Sequence, residues 1–314
     1  MRYRFIDREK VFYPVGVLCR VMKVKRSAYY VYAAGGSYLK SKQTVELARR
    51  VKAVFWVHKR RYGTRRISKE LIAAGINAGR YRVRSLMSEQ GLQAIQPRSF
   101  VPKTTVSDDR RASPNLMAQA KPSRPGEVLV GDITYLPLWD GKWCYLASWQ
   151  DKVSKRIVGW SVGMRMTDDL VIDALNKAII RGLVGANPII HSDRGSQYSS
   201  NDFRKLLKQH GYRQSMSGRG NCYDNAQAES FWARLKAELL EGGAFRSVDE
   251  ARSEVFSYIE GYYNRIRRHS AIGYLSPIEF ERILKDRSAG QNFGQTKTTS
   301  VFQFSKPLTT GLGF

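Results

Sequence analysis

Three acidic residues and a lysine occupy positions that ordinary surface charges do not. Asp132 lies inside VLVGDITYLPL, a run rich in β-branched and aromatic residues that predicts a strand with Val128, Val130, Asp132 and Thr134 on one face. Asp193 closes the apolar run Pro188-Ile189-Ile190 and is followed at once by Arg194-Gly195-Ser196, at the carboxyl end of a second buried strand. A carboxylate in either place is costly to ionise unless a cation or a partner compensates it. Glu229 belongs to a third element. The stretch from Gly218 to Glu238, GRGNCYDNAQAESFWARLKAE, reads as a glycine hinge feeding one helix, with Asp224 or Asn225 as its cap. At about 100° per residue, Ala228, Phe231, Leu235 and Leu239 form a core-facing stripe, and Asn225, Glu229 and Lys236 form the stripe beside it. Taken alone, that polar stripe also fits a solvated helix edge. Three acids on two strands and a helix form a cage suited to a hard cation, which prefers carboxylate oxygen to nitrogen or sulfur.

Four blocks carry a resemblance. GDITYLPLWDGKWCYLASWQD, HSDRGSQYSS, SGRGNCYDNAQAESFWARLKAE and YYNRIRRHSAIGYLSPIEFE, in that order, resemble the catalytic core of bacterial insertion-sequence transposases of the OrfB type, within the retroviral-integrase-like (DDE) group. The 35 residues between Asp193 and Glu229 match the spacing of that group, and Lys236 stands seven after Glu229 where the group has a basic residue. The resemblance implies a ribonuclease-H-like mixed-sheet catalytic domain. It implies that Asp132, Asp193 and Glu229 are both the catalytic residues and the ligands of two Mg²⁺ ions, with Mn²⁺ as a substitute. Such a pair activates the attacking oxygen and stabilises the leaving one. The implied activity is 3′-end cleavage and strand transfer on double-stranded DNA, at the terminal inverted repeats of an element and at its target. The protein is expected to act as a homo-oligomer on DNA, and as a fusion with an upstream-frame partner. Two alternatives share part of the pattern. A catalytically silent DNA-binding regulator would share the basic helices, and a stand-alone metal-dependent nuclease would share the triad. Leu129 departs from the pattern, standing where a tryptophan is expected three before the first acid.

The elements around these blocks divide the chain into five parts. Residues 1–40 read as an N-terminal helical region compatible with a helix-turn-helix, with Ser27 as an N-cap. Residues 41–95 read as an all-α helix-turn-helix DNA-binding domain: Leu47, Val51 and Phe55 step at helical spacing, Ile67 and Leu71 follow, then Val83, Leu86 and Met87. Arg65, Arg66, Arg80, Arg82 and Arg84 stud this region as candidate DNA contacts. Residues 96–125 gather five of the ten prolines and predict an extended, mobile linker. Residues 126–285 form the α/β core, predicted as β-β-β-α-β-α with capping boxes at Ser247 to Glu250 and Ser276 to Glu279. Residues 286–314 are expected to be weakly ordered. In the core, Lys236, Asn225, Asn264, Arg265, Arg268 and His269 are the candidate phosphate contacts.

Composition supports a polyanionic partner. The 314 residues carry a formal charge of +26, and residues 1–130 hold 28 Lys+Arg against 8 Asp+Glu. Three widely spaced cysteines exclude a disulfide framework and point to a reducing cytoplasm, where a nucleoid-associated bacterial protein is expected. Four histidines without a cysteine couple give no sign of a zinc module. No apolar run approaches the ~20 residues a bilayer requires, so no membrane role is expected.

Overall fold

The computed structural model describes residues 1–35, 41–97, 112–218 and 226–288. Asp224, Asn225 and residues 289–314 lie outside them. Among the described residues no helix is long and apolar enough to cross a membrane.

The N-terminal region has three short helices where two are expected: α1 (Arg2–Glu9), α2 (Val15–Val21) and α3 (Arg26–Ala33) close on Ile6, Leu18, Cys19 and Tyr29. Helix α3 begins before Ser27, with Lys25 at its N-cap. A second bundle follows from α4 (Lys42–Val57), α5 (Thr64–Ala73) and α6 (Arg80–Glu89). Ser41 caps α4 by accepting from the Thr44 N–H. Gly75 (φ +79°) ends α5 with the Ile76 N–H returning to the Leu71 carbonyl, a closure that needs a left-handed residue. The apolar stripes of all three helices meet in one core containing Leu47, Val51, Phe55, Ile67, Leu71 and Val83.

The α/β core begins with an antiparallel meander, β1 (Val128–Pro137), β2 (Trp143–Asp151) and β3 (Ile157–Gly163). Helix α7 (Asp168–Ile180), β4 (Ile189–Ser192), α8 (Asn201–Gln209) and β5 (Arg213–Met216) follow. The five strands order as β3-β2-β1-β4-β5, with β4 parallel to both β1 and β5. This mixed sheet is the ribonuclease-H-like plan expected from the sequence. Strand β5 is the addition: four residues of Arg-Gln-Ser-Met carry too little apolar alternation to announce a strand, and pairing with β4 makes them one. Helices α7 and α8 cover one face of the sheet, on Trp149, Val171, Leu175 and Phe203. The other face is covered by α9 (Ala226–Leu240), α10 (Val248–Phe256) and a π-helical segment (Ser257–Tyr263), through Phe231, Trp232, Leu235, Val255 and Tyr258. Helix α11 (Pro277–Ser288) closes the core behind a reciprocal Ser276–Glu279 capping box. At Ser247 the cap holds, but Glu250 reaches back to the Arg246 N–H instead of that of Ser247.

Part of the expected linker packs against the sheet. Leu116 donates its N–H to Ser215 Oγ, Ser113 Oγ donates to Gln214, and Leu116, Met117 and Ala120 pack on Val128, Val130 and Ile189. A proline-rich composition removes helical periodicity, yet it leaves enough apolar side chains to line a sheet edge.

Candidate active site

The β1–β4 pairing brings the segments that carry the two aspartates to neighbouring positions in the sheet. The last paired residues are Val130 and His191; Asp132 stands two positions further along β1, and Asp193 follows one residue past the end of β4. Side chains alternate along a strand, so Asp132 shares the face of Val128 and Val130, on the stretch of β1 that has no β4 partner. The common neighbour of the two aspartates is Tyr198. Among the described residues its buried hydroxyl has no hydrogen-bond partner, and its pKa is pushed well above the usual value, first by burial and then by the charges of Asp132 and Asp193. A methyl group added at Gly195 would touch Asp193 Oδ1 at 3.1 Å and the Tyr198 ring at 3.5 Å, so the acid and the ring close around one glycine.

Each carboxylate is differently supported. Asp132 accepts from the Ile133 N–H through Oδ1 (2.8 Å) and from the Trp232 indole through Oδ2 (3.0 Å), which ties it to α9. Asp193 accepts the Gly195 N–H at 3.0 Å, and burial raises its pKa against that donor. A carboxylate held in this way gains from a nearby cation. The donors are all oxygen, and the unpartnered hydroxyl shows room for polar company, so the pair suits a hard divalent ion.

Glu229 is less advanced. It is exposed on the first turn of α9, and no three acidic, histidine or cysteine side chains among the described residues form a metal-binding cluster. Its neighbour Ala228 is seated on Val128, Val130 and Ile189, which brings this turn of α9 over the strands that carry the two aspartates. Gln227 fixes the same turn by donating to the Asp151 carbonyl (3.1 Å) and accepting from Lys155 (2.9 Å). Lys236 lies half-buried with its ammonium 5.7 Å from the Tyr135 ring centre; burial lowers its pKa and the Asp132 charge opposes that. It therefore stands by the first acid of the set, rather than only along the helix from Glu229.

Asp151 belongs to the frame. It accepts from the N–H groups of Gly126, Val153 and Ser154 and from Ser154 Oγ, organising the β2–β3 turn.

The candidate DNA contacts divide sharply. Arg65, Arg80, Arg82 and Arg84 are exposed, and three of them lie on α6. Arg265 is exposed too, its guanidinium donating to the Glu260 carbonyl. Asn264 and Arg268 are buried, Arg66 and His269 are half-buried, and all four are engaged within the protein. Asn264 is fully buried and exchanges two hydrogen bonds of 3.0 Å with the backbone of Ile157, stapling the end of the π-helical segment to β3. Arg268 is ion-paired to the buried Glu70 of α5, Arg66 donates to the Arg268 carbonyl, and the His269 ring packs edge-on against Tyr263. Asn-Arg-Ile-Arg-Arg-His has the composition of a phosphate grip, and only the burial of Asn264, Arg267 and Arg268 reveals that it joins the helical domain to the core. Sequence reasoning missed Trp232, Tyr198 and Glu238; a tryptophan one turn after Glu229 was the available signal.

An integrase-type sheet carrying paired aspartates and preceded by a basic helical domain defines the class of DDE-type DNA transposases. Residues 122–222 match the Integrase core domain family, residues 210–277 a second Integrase core domain family, and residues 42–100 the HTH-like domain family. The chain is 40% identical over 284 residues to the transposase InsF for insertion sequence IS3A of Escherichia coli K12, covering 90% of this chain and 98% of that protein. It is 40% identical over 264 residues to the uncharacterized 31 kDa protein of insertion element IS600 of Shigella sonnei, covering 84% and 97%. Among solved structures, the HTLV-2 integrase catalytic core domain in complex with magnesium aligns at a TM-score of 0.38 and 17% identity, over 50% of this chain and 97% of that one. The chain belongs to the InsF-type transposases of the IS3 family of insertion sequences.

Proposed function

We propose that this transposase binds the terminal inverted repeats of its element, cleaves a 3′ end with a metal-activated water, and joins the resulting 3′-hydroxyl to a second phosphodiester. The observation that supports the proposal is that the buried Tyr198 hydroxyl, without a hydrogen-bond partner among the described residues, feels the charges of both Asp132 and Asp193. Asp132 and Asp193 would hold the divalent ion, two Mg²⁺ or Mn²⁺ in the full site, with Glu229 supplying the third carboxylate from α9. When bound, the metal pair supplies the charge stabilisation that phosphoryl transfer needs. Trp232 orients the Asp132 carboxylate, and the Gly195 N–H orients that of Asp193. Lys236, placed by Asp132, offers a positive charge to a phosphate next to the scissile one. Arg80, Arg82 and Arg84 on α6, with Arg65 on α5, grip duplex DNA away from the site. The active form is an oligomer on DNA, with the upstream-frame fusion partner contributing end recognition.

Substitution tests this reading. Asp132→Asn, Asp193→Asn and Glu229→Gln each change little volume and each remove one ligand. Each is expected to lower Mg²⁺-dependent cleavage and joining at a marked repeat end by a hundredfold or more, about 3 kcal/mol, with DNA retention unchanged. Near-normal turnover in any one variant removes that residue from the cage.

A further inference from the structure

The β1–β2 hairpin exposes aromatic rings that the fold does not use. Tyr135 is 46% exposed, Trp143 52% and Trp139 69%, in an α/β core whose tryptophans at 149, 160 and 232 are buried. The cross-strand register opposes Tyr135 to Tyr145 and Pro137 to Trp143, so Tyr135, Tyr145 and Trp143 share one face of the hairpin. Their rings meet edge to face, Tyr135 to Trp143 at 6.1 Å and Tyr135 to Tyr145 at 6.0 Å. Tyr145 is half-buried against the sheet core and backs the exposed rings of Tyr135 and Trp143, and rings exposed in this way call for a partner.

Cations stand beside these rings. Lys236 comes from α9, on the side of the sheet opposite to α7, and its ammonium lies near the Tyr135 ring, on the stretch of β1 without a β4 partner. Arg246 lies 5.5 Å from the Trp139 ring centre near the hairpin turn. Tyr135 is three residues from Asp132, about 10 Å along the strand, or one to two nucleotides of extended backbone. Positive charge beside exposed ring faces, leading away from a phosphodiester-cutting site, fits a nucleic-acid strand with unstacked bases.

We propose that Tyr135 and Trp143, backed by Tyr145, form a stacking platform for unpaired bases at the DNA end, with Lys236 holding the phosphate where the strand crosses the β1 edge. The platform rests on the DNA-cutting role proposed above. It would favour ends whose last pairs are already open, and it would read no sequence, because every base has a face to stack.

The test uses the full chain and two short duplexes with 2-aminopurine at the terminal position, one fully paired and one mismatched over its last pairs. The parent is expected to bind the frayed end about fivefold or more tighter than the paired one and to quench its fluorescence. Tyr135→Ala and Trp143→Ala are expected to abolish that preference and the quenching, while affinity for the paired duplex stays within twofold. Trp143→Phe is expected to retain both. An equal affinity of the parent for the two ends overturns the platform, as does a preference that survives both alanine substitutions. If the alanine variants change self-association without DNA and leave the preference intact, the surface is a protein interface and the proposal falls. Failure of the parent to bind either duplex overturns the platform together with the DNA-cutting role, whereas paired binding without preference overturns the platform alone.

Discussion

Tyr198 holds an oxygen that the described protein leaves unsatisfied. Its ring is locked edge-on against Trp149 (5.8 Å) and Phe203 (5.7 Å), so the hydroxyl cannot swing away from the two aspartates to find a donor or acceptor elsewhere. A buried polar atom without a partner costs roughly 1–3 kcal/mol. Tyr198→Phe removes that atom at nearly constant shape and is expected to raise the unfolding free energy of the metal-free protein by about 1 kcal/mol in urea melts. A loss of stability instead would show that the hydroxyl is satisfied in solution. At this scale the sequence was informative about Asp132 and Asp193, since an acid within a strand-forming run is legible as an anomaly. It was uninformative about Asn264 and Arg268, because an asparagine or arginine in a basic string looks the same whether it meets phosphate or fills a core.

Helix α9 is the element on which the site depends, and it is fastened at three levels. Gln227 ties its first turn to the β2–β3 turn, Trp232 ties its middle to Asp132, and Glu238 ties its last turn to Arg267. The last of these is the strongest. Arg267 is fully buried and donates to Glu238 at 3.0 and 2.5 Å, while Tyr258 donates to the same carboxylate at 2.8 Å. Burial works to lower the Arg267 pKa, and the charge and hydrogen bonds of Glu238 overcome it and raise the pKa instead. Neutralising one side leaves an uncompensated charge in the core, so Glu238→Gln is expected to cost about 3–5 kcal/mol. The double variant Glu238→Leu with Arg267→Met is expected to recover most of that in thermal melts. Equal losses in the single and double variants would mean that packing, not charge pairing, holds this end of α9. The stripe of Phe231 and Leu235 was readable from periodicity, and both residues are buried. The polar partners were not, because Arg267 lies far along the chain and only the π-helical segment brings it back.

At the scale of the whole molecule, the HTH-like domain is docked on the core through buried polar contacts. Tyr62 donates to the Ile266 carbonyl and accepts from the Arg268 N–H, Arg61 lies 4.7 Å from the Tyr262 ring centre, and Glu70 pairs with Arg268. His58 stacks on Tyr62 at 3.7 Å and shares a hydrogen bond with the Tyr262 hydroxyl at 3.2 Å. Burial is the main cause that pushes its pKa down to about 4; Glu70 opposes this, and Arg268, Arg61 and Arg267 add to it. Between about pH 6.5 and pH 4 the unfolded chain takes up a proton at His58 that the folded chain refuses. The stability tied to neutral His58 is therefore complete above about pH 6.5 and is lost as pH falls, by about 3 kcal/mol once pH is below about 4. Thermal unfolding between pH 7 and 5 is expected to show this decline in the parent and a smaller one in His58→Gln. An identical decline in both would place the acid sensitivity elsewhere, with His269, also held low by burial, as the next group to replace.

The sequence by itself determined the class of the protein, because the signals for it are local. Strand runs interrupted by an acid, a helix with an apolar stripe, three basic helices and an ordered set of motifs are all written within a few residues of one another. The same local chemistry cannot specify which polar side chains are left for a ligand. Only the tertiary structure decided that Asp132 and Asp193 both act on the buried Tyr198 hydroxyl, while Glu229 remains exposed. It also decided that Arg268 faces Glu70 from 198 residues away, and that proline-rich residues around Leu116 line a sheet edge. The physical reason is the same in each case. Burial and pairing belong to groups distant in the chain, and their energies exist only once the elements have packed.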